Sequence, residues 1–229
     1  MNKKELAFHL DLANHHPDAT PSDIKKLCSL VLKYGFHTAF MNSCYVSLAR
    51  KYMGNKAKIG AVISFPLGQD STASKISAVK YALRDSADEL DVSMNVGLFK
   101  AKQYSSVLKE MKAIVRTARK IKKSAIVKFI IETGYLTPQE ITKASKLVIS
   151  SGADFVKTCS GYGPRGAELN DVLIIKKAIG NKAKIKVAGG ISTTKQALAF
   201  LKAGAHRIGT SHAVDIVKGI NSSIKHYGE

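Results

Sequence analysis

The chain has 229 residues, 45% of them hydrophobic, enough for one sizeable core and too few for two comfortable domains. No apolar run reaches the roughly eighteen residues of a membrane span, and the stretch from Met1 to Asp11 meets charge too early for a secretory core, so a soluble cytoplasmic protein is expected. Lys and Arg number 36 against 17 Asp and Glu, a net charge of +19 that would concentrate any anion, while the scattered Cys28, Cys44 and Cys159 support neither a disulfide framework nor a structural zinc site.

Short β-rich runs alternate with longer amphipathic stretches from end to end. In chain order, strands are expected at residues 8–14, 37–42, 59–65, 89–95, 125–131, 155–158, 185–188 and 207–209. Between them, Pro21-Ser22-Asp23, Ser71-Thr72 and Thr137-Pro138-Gln139-Glu140 open helices. Gly35 and Gly152 stand where helices should stop. Eight strands with about as many helices predict a single-domain (β/α)8 TIM barrel over residues 1–229. The basic runs, such as Lys100-Ala101-Lys102 and the stretch from Arg116 to Lys123, are spread along helix-like or loop segments. No aromatic RNA-binding signature or zinc finger accompanies them, so a solvated basic surface is expected and nucleic acid is not the expected partner.

Strand parity carries the stronger argument. In Glu89-Leu90-Asp91-Val92-Ser93-Met94-Asn95, apolar Leu90, Val92 and Met94 alternate with polar residues, so one face packs under helices and the other enters the barrel. The same parity sets Lys128, Ile130 and Glu132 on one face, and Lys186 opposite its apolar neighbours. Burying such carboxylates is costly unless they meet cations or substrate, so these charges are expected to share one cavity. An ion-pair network that merely holds the barrel together is the competing account.

Two segments, Val156-Lys157-Thr158-Cys159-Ser160-Gly161 and Lys186-Val187-Ala188-Gly189-Gly190, each end an apolar run with a lysine before a glycine-bearing loop. A buried ammonium is costly and a second cation beside it makes it costlier, so one of two facing lysines loses its proton near neutral pH and becomes a nucleophile for a carbonyl. Lys128 is a rival nucleophile, since it too occupies an inward strand position. Cys159 has no histidine placed to ionise it and reads as a buried, inert thiol. His15-His16 reads as loop polarity, because adjacent rings rarely reach one metal ion. Gly161, Gly189, Gly190, Gly209 and Ser211, near the ends of the late strands, are candidates for a phosphate cradle of backbone N–H groups.

Read together, Phe65-Pro66-Leu67-Gly68, Asp88-Glu89-Leu90-Asp91, Ile131-Glu132-Thr133-Gly134, the Lys157 segment through Gly163, and Val187-Ala188-Gly189-Gly190-Ile191 resemble the deoxyribose-phosphate aldolase family, class I aldolases of (β/α)8 fold. The resemblance runs from about Leu10 to Thr210. It implies that Lys157 forms the Schiff base, that Lys186 depresses its pKa, and that Asp91 acts as acid and base through a water. Asp11, Asn42, Lys128 and Thr158 would support them. It implies no metal or other cofactor, a phosphorylated sugar as substrate, reversible cleavage of 2-deoxy-D-ribose 5-phosphate, and a homodimer. A related class I aldolase for another phosphorylated sugar, and a non-catalytic basic barrel that binds phosphate or nucleic acid, are the alternatives.

The chain departs from the family pattern at several points. Ser192 follows Gly-Gly-Ile where the family commonly has Arg, and His212 follows Gly-Thr-Ser where a small residue is usual. A phosphate contact through protonated His212 would then weaken as pH rises above about 7. The family's Asp-His-Thr stands as Asp11-Leu12-Ala13, and its Cys-Val-Asn-Pro as Phe40-Met41-Asn42-Ser43. Phe40 is expected to narrow the pocket beside the imine.

Overall fold

In a computed structural model that describes residues 1–220, eight parallel strands close into a barrel in sequence order, β1 pairing with β8. They are β1 (Leu10–Asn14), β2 (Thr38–Asn42), β3 (Lys58–Ile63), β4 (Glu89–Ser93), β5 (Ile126–Ile130), β6 (Phe155–Lys157), β7 (Lys184–Ala188) and β8 (Arg207–Thr210). The single (β/α)8 barrel is therefore the observed architecture. Residues 221–229 of the expected domain lie outside the described residues.

The helices are α1 (Lys3–Phe8), α2 (Pro21–Tyr34), α3 (Val46–Met53), α4 (Thr72–Arg84), α5 (Val96–Lys100), α6 (Tyr104–Ile121), α7 (Pro138–Ser151), α8 (Leu169–Ile179), α9 (Thr194–Ala203) and α10 (Ala213–Lys218). Their starts follow from local chemistry. Thr20 and Thr137 each accept the backbone N–H three residues on, while Asp23 and Glu140 reach back to the cap, with proline opening the first turn. Gly35 and Gly152 end α2 and α7 in the left-handed conformation that glycine adopts without steric cost.

The first strand begins later than its composition suggested. Asn2 and Glu5 form a reciprocal cap that nucleates α1, and Phe8 ends that helix instead of opening β1. Phe8 lies against His37 at the N-terminal end of the barrel, ring centroids 5.1 Å apart. Other strands stop short of their expected ends. β3 gives way to Ser64, at φ 54°, and to a cis Phe65-Pro66 bond, and β5 ends at Ile130.

Each strand contributes apolar residues to a core shared with the helices, among them Leu10, Leu90, Val127, Val156, Val187 and Ile208. Their chain neighbours Asp11, Asp91, Lys128, Lys157 and Lys186 are also buried, on the other side of the wall. The register sets Asp91 beside Lys128, Lys157 beside Lys186, and Lys186 beside Arg207.

Candidate active site

Asp91 is the hub of the barrel interior. Its Oδ2 lies 2.8 Å from Lys157 Nζ and 2.8 Å from Lys186 Nζ, and its Oδ1 lies 3.1 Å from Lys128 Nζ. Lys186 also meets Asp11 Oδ2 at 2.8 Å, and Lys128 meets Glu89 Oε2 at 2.5 Å. Towards the N-terminal end of the barrel the network closes on itself. Glu89 Oε1 is 3.6 Å from His37 Nδ1, Arg207 contacts His37 Nε2, and Arg207 is 3.5 Å from Asp11 Oδ1. More charge converges here than strand parity alone implied.

A charge count constrains the protons. Three carboxylates, Asp11, Glu89 and Asp91, face four basic groups, Lys128, Lys157, Lys186 and Arg207. His37 presents Nε2 to Arg207, and its Nδ1 lies 2.7 Å from Thr38 Oγ1. The cluster is balanced when one of the lysines is uncharged, and a proton on all three would leave one buried positive charge unmatched.

The individual environments agree with this count. Burial lowers the pKa of Lys157; Asp91 opposes the shift and the Lys186 charge reinforces it. Burial is thus the larger cause and Lys186 a secondary one. For Lys128 burial also acts downward, but Asp91, Glu89 and Asp11 overrule it and hold the ammonium above the usual lysine range. Burial alone would raise Asp91, yet Lys128, Lys157 and Lys186 keep its carboxyl well below the usual carboxylate range. Burial pushes Glu89 upward against the pull of Lys128.

Above this cluster lies a cavity of about 480 Å3, lined by Lys157 and Lys186 and by Gly161, Gly189, Gly190, Gly209 and Ser211. Ser192 and His212 border it, and no carboxylate lines it among the described residues. Gly189 and Gly190, at φ 96° and 76°, turn the chain past the end of β7. Gly209 has a second task, because a Cβ there would lie 2.9 Å from Lys186 Cε, so its bareness makes room for the lysine stem. The start of α9 is partly capped from within: Gln196 Oε1 accepts the N–H of Ser192 and of Thr193, leaving fewer helix-terminal donors for an anion than the motif implied.

Other expected residues sit apart from this cavity. Asn42 lines a separate hollow with Ser43, Val62 and Phe65. Thr158 is fully buried and ties β6 to β7, its hydroxyl donating to Ala188 O and accepting from Ala188 N, both at 3.1 Å. Glu132 corrects the parity argument. Standing beyond the end of β5 at φ 54°, it turns away from the lysines and accepts the Ser160 N–H at 3.0 Å, supporting the loop that follows Lys157. Phe40, expected to narrow the pocket beside the imine, is not among the residues that line the cavity. It is fully buried in the barrel, with Lys186 Nζ 3.4 Å and Lys128 Nζ 4.6 Å from its ring centroid, and Gly60 opposite leaves space that a Cβ would overlap. Cys159 is buried with its Sγ 3.1 Å from Thr133 Oγ1, and burial pushes its thiol pKa up.

The residue that the sequence motifs passed over is His15. Its side chain lines the cavity beside Lys157, and burial lowers its pKa to about 3, helped by the Lys157 charge. The signal was present in β1, where the alternation that turns Asp11 and Ala13 inward continues to His15. Reading the His-His pair as loop polarity concealed it. Among the described residues, no cluster of three or more His, Cys, Asp or Glu side chains is arranged to hold a metal ion.

Residues 6–219 match the DeoC/LacD family aldolase model. The chain belongs to this aldolase family. It is 45% identical over 222 residues to the deoxyribose-phosphate aldolase of Thermococcus kodakarensis, covering 96% of this chain and 98% of that one. The Caldicellulosiruptor saccharolyticus enzyme of the same name is 44% identical, with 95% and 99% covered. Among solved structures, the aldolase QR15 superposes with a TM-score of 0.89 at 35% identity, covering 97% of each chain. The deoxyribose phosphate aldolase of Aeropyrum pernix, described as a unique tetramer, gives 0.89 at 29% identity, with 97% and 93% covered. The fold, the family and the lysine-bearing cavity thus describe one aldolase, and none of its described helices is long and apolar enough to cross a membrane.

Proposed function

We propose that this aldolase reversibly cleaves 2-deoxy-D-ribose 5-phosphate to D-glyceraldehyde 3-phosphate and acetaldehyde through a Schiff base on Lys157. One observation carries the assignment of the nucleophile. Of the three lysines around Asp91, Lys157 is disfavoured as an ammonium by burial and lines the cavity, whereas the three surrounding carboxylates hold Lys128 protonated.

The neutral amine attacks the sugar's aldehyde carbon, and loss of water from the carbinolamine gives the iminium. The C2–C3 bond then breaks as the C3 hydroxyl gives up its proton. The O–H pair becomes the new carbonyl, and the C2–C3 pair moves into the enamine that the iminium accepts. Asp91, held ionised by the Lys128 and Lys186 ammonium groups beside it, is the proton acceptor through a water and returns the proton to the enamine carbon. Hydrolysis of the acetaldehyde imine restores Lys157. Lys186 and Lys128 keep the carboxylate charged, and Asp11 fixes Lys186.

The phosphate belongs at the glycine side, where Gly161, Gly189, Gly190 and Ser211 present backbone and hydroxyl groups, and where His212 and Ser192 stand in place of a fixed guanidinium. A cytoplasmic site of action and a homodimer are part of this reading. Asn42 and Thr158 act in it by shaping the strand ends, not by touching the sugar.

Borohydride reduction with acetaldehyde tests the reading. It should add the mass of an ethyl group at Lys157, and Lys157→Met should show neither adduct nor turnover, with an activity loss of at least on the order of ten-thousandfold and an unchanged fold by circular dichroism. An adduct on Lys128 would refute the assignment. Product analysis with deoxyribose 5-phosphate separates this activity from that of an aldolase for another phosphorylated sugar.

A further inference from the structure

His15 is poorly explained as a structural residue. Its Nδ1 is shielded from solvent and has no hydrogen-bond partner among the described residues. Its ring packs against Phe65, centroids 5.0 Å apart, and lies 6.5 Å from Phe40, surroundings that would suit an apolar side chain equally well. The main chain at this point is held by other means, since the Tyr162 hydroxyl donates to His15 O at 3.3 Å. A buried polar atom without a partner is costly, and an imidazole that borders a cavity beside the nucleophile keeps hydrogen-bonding capacity for whatever enters.

Charge and position define the role. His15 packs on Phe65, and Lys157 Nζ lies 5.8 Å from the centroid of that same ring, so the imidazole belongs to the imine end of the cavity. Burial, the largest cause, lowers its pKa to about 3 and keeps it uncharged near neutral pH, which makes it a poor base and a good neutral hydrogen-bond donor. In a sugar stretched from Lys157 to the glycines, the first oxygen beyond the imine end is the one on C3. Ala13, the preceding inward residue of β1, lines the same cavity with a methyl group that offers no hydrogen bond.

Resting on the proposed lyase reaction, we infer that His15 is a further catalytic residue, whose imidazole N–H donates to the C3 oxygen of the substrate. The donated hydrogen bond stabilises negative charge as the C3–O–H proton departs to the Asp91 relay and the oxygen becomes the aldehyde carbonyl. His15 neither gains nor loses a proton in this step. In the synthetic direction the same N–H polarises the incoming aldehyde for attack by the enamine.

Three forms of the enzyme test the inference: wild type, His15→Leu and His15→Asn, the last retaining an N–H donor. Acetaldehyde has no C3 oxygen, so borohydride trapping on Lys157 should be the same in all three. Cleavage of deoxyribose 5-phosphate should fall on the order of a hundredfold in kcat in His15→Leu, and His15→Asn should recover part of the loss. Melting temperature and circular dichroism identify any variant that fails to fold; should His15→Leu do so, His15→Asn carries the test through a reduced kcat with trapping intact. Wild-type kcat in a folded His15→Leu overturns the inference, as does a parallel loss of trapping and cleavage, which would make His15 a support for Lys157. Absence of an adduct in the wild type would instead refute the Schiff-base reading itself.

Discussion

The two sides of the barrel wall are built from neighbouring residues yet follow opposite rules. Outward, Leu90, Val127, Val156 and Val187 join one apolar core with the helices, where burial is favourable without regard to direction. Inward, Asp91, Lys128, Lys157 and Lys186 are equally buried, but each requires a specific partner at about 3 Å to offset the loss of hydration. The outer layer stabilises the fold and the inner one fixes where protons reside. A barrel with an apolar interior would be simpler to stabilise, so the retained charges point to chemistry.

The contrast is sharpest at Leu90 and Asp91, adjacent in β4. Leu90→Ala should lower unfolding free energy by about 2–5 kcal/mol through the cavity it leaves, while kcat/KM per folded molecule stays at the wild-type value. A collapse of kcat/KM with stability intact would break the division between the two layers. Lys186→Leu probes the inner layer. Removing a cation that disfavours the Lys157 ammonium leaves Asp91 to hold its proton, so the Lys157 pKa rises and the uncharged fraction falls. The rate at neutral pH should drop by about tenfold for each unit of that rise, and the optimum should move to higher pH. An optimum that stays put or moves to lower pH would contradict the charge count. The smallest effect is expected at the cavity rim. Ser192→Arg should lower KM for the phosphorylated sugar a few-fold and leave that for unphosphorylated deoxyribose unchanged. Equal changes for both sugars would place the phosphate elsewhere.

Much of this arrangement was legible because strands alternate with period two. Asp91, Lys128 and Lys186 could be assigned to the interior from their apolar neighbours, and the threonine caps with their partner acids marked α2 and α7. The same rule misplaced Glu132, since a left-handed residue beyond the end of β5 resets the alternation. It was not carried far enough at His15, where the chain keeps facing inward past β1. Phe40 was matched to a family position, but its depth in the barrel and its contacts with two ammonium groups depend on Gly60 of the adjacent strand.

The sequence by itself determined the barrel, the inward placement of Asp91, Lys128 and Lys186 and the glycine-bearing strand ends, because periodicity and turn chemistry are local properties of the chain. Only the tertiary structure decided which way the proton affinities of Lys128 and Lys157 move. Lys128 and Lys157 look alike as inward strand residues, and they differ because β4 and β1 bring three carboxylates to act on the first, while the second faces Asp91 with Lys186 opposing it and burial dominating. Proton affinity in a buried site is a sum over distances, and those distances exist only once the ring of strands has closed.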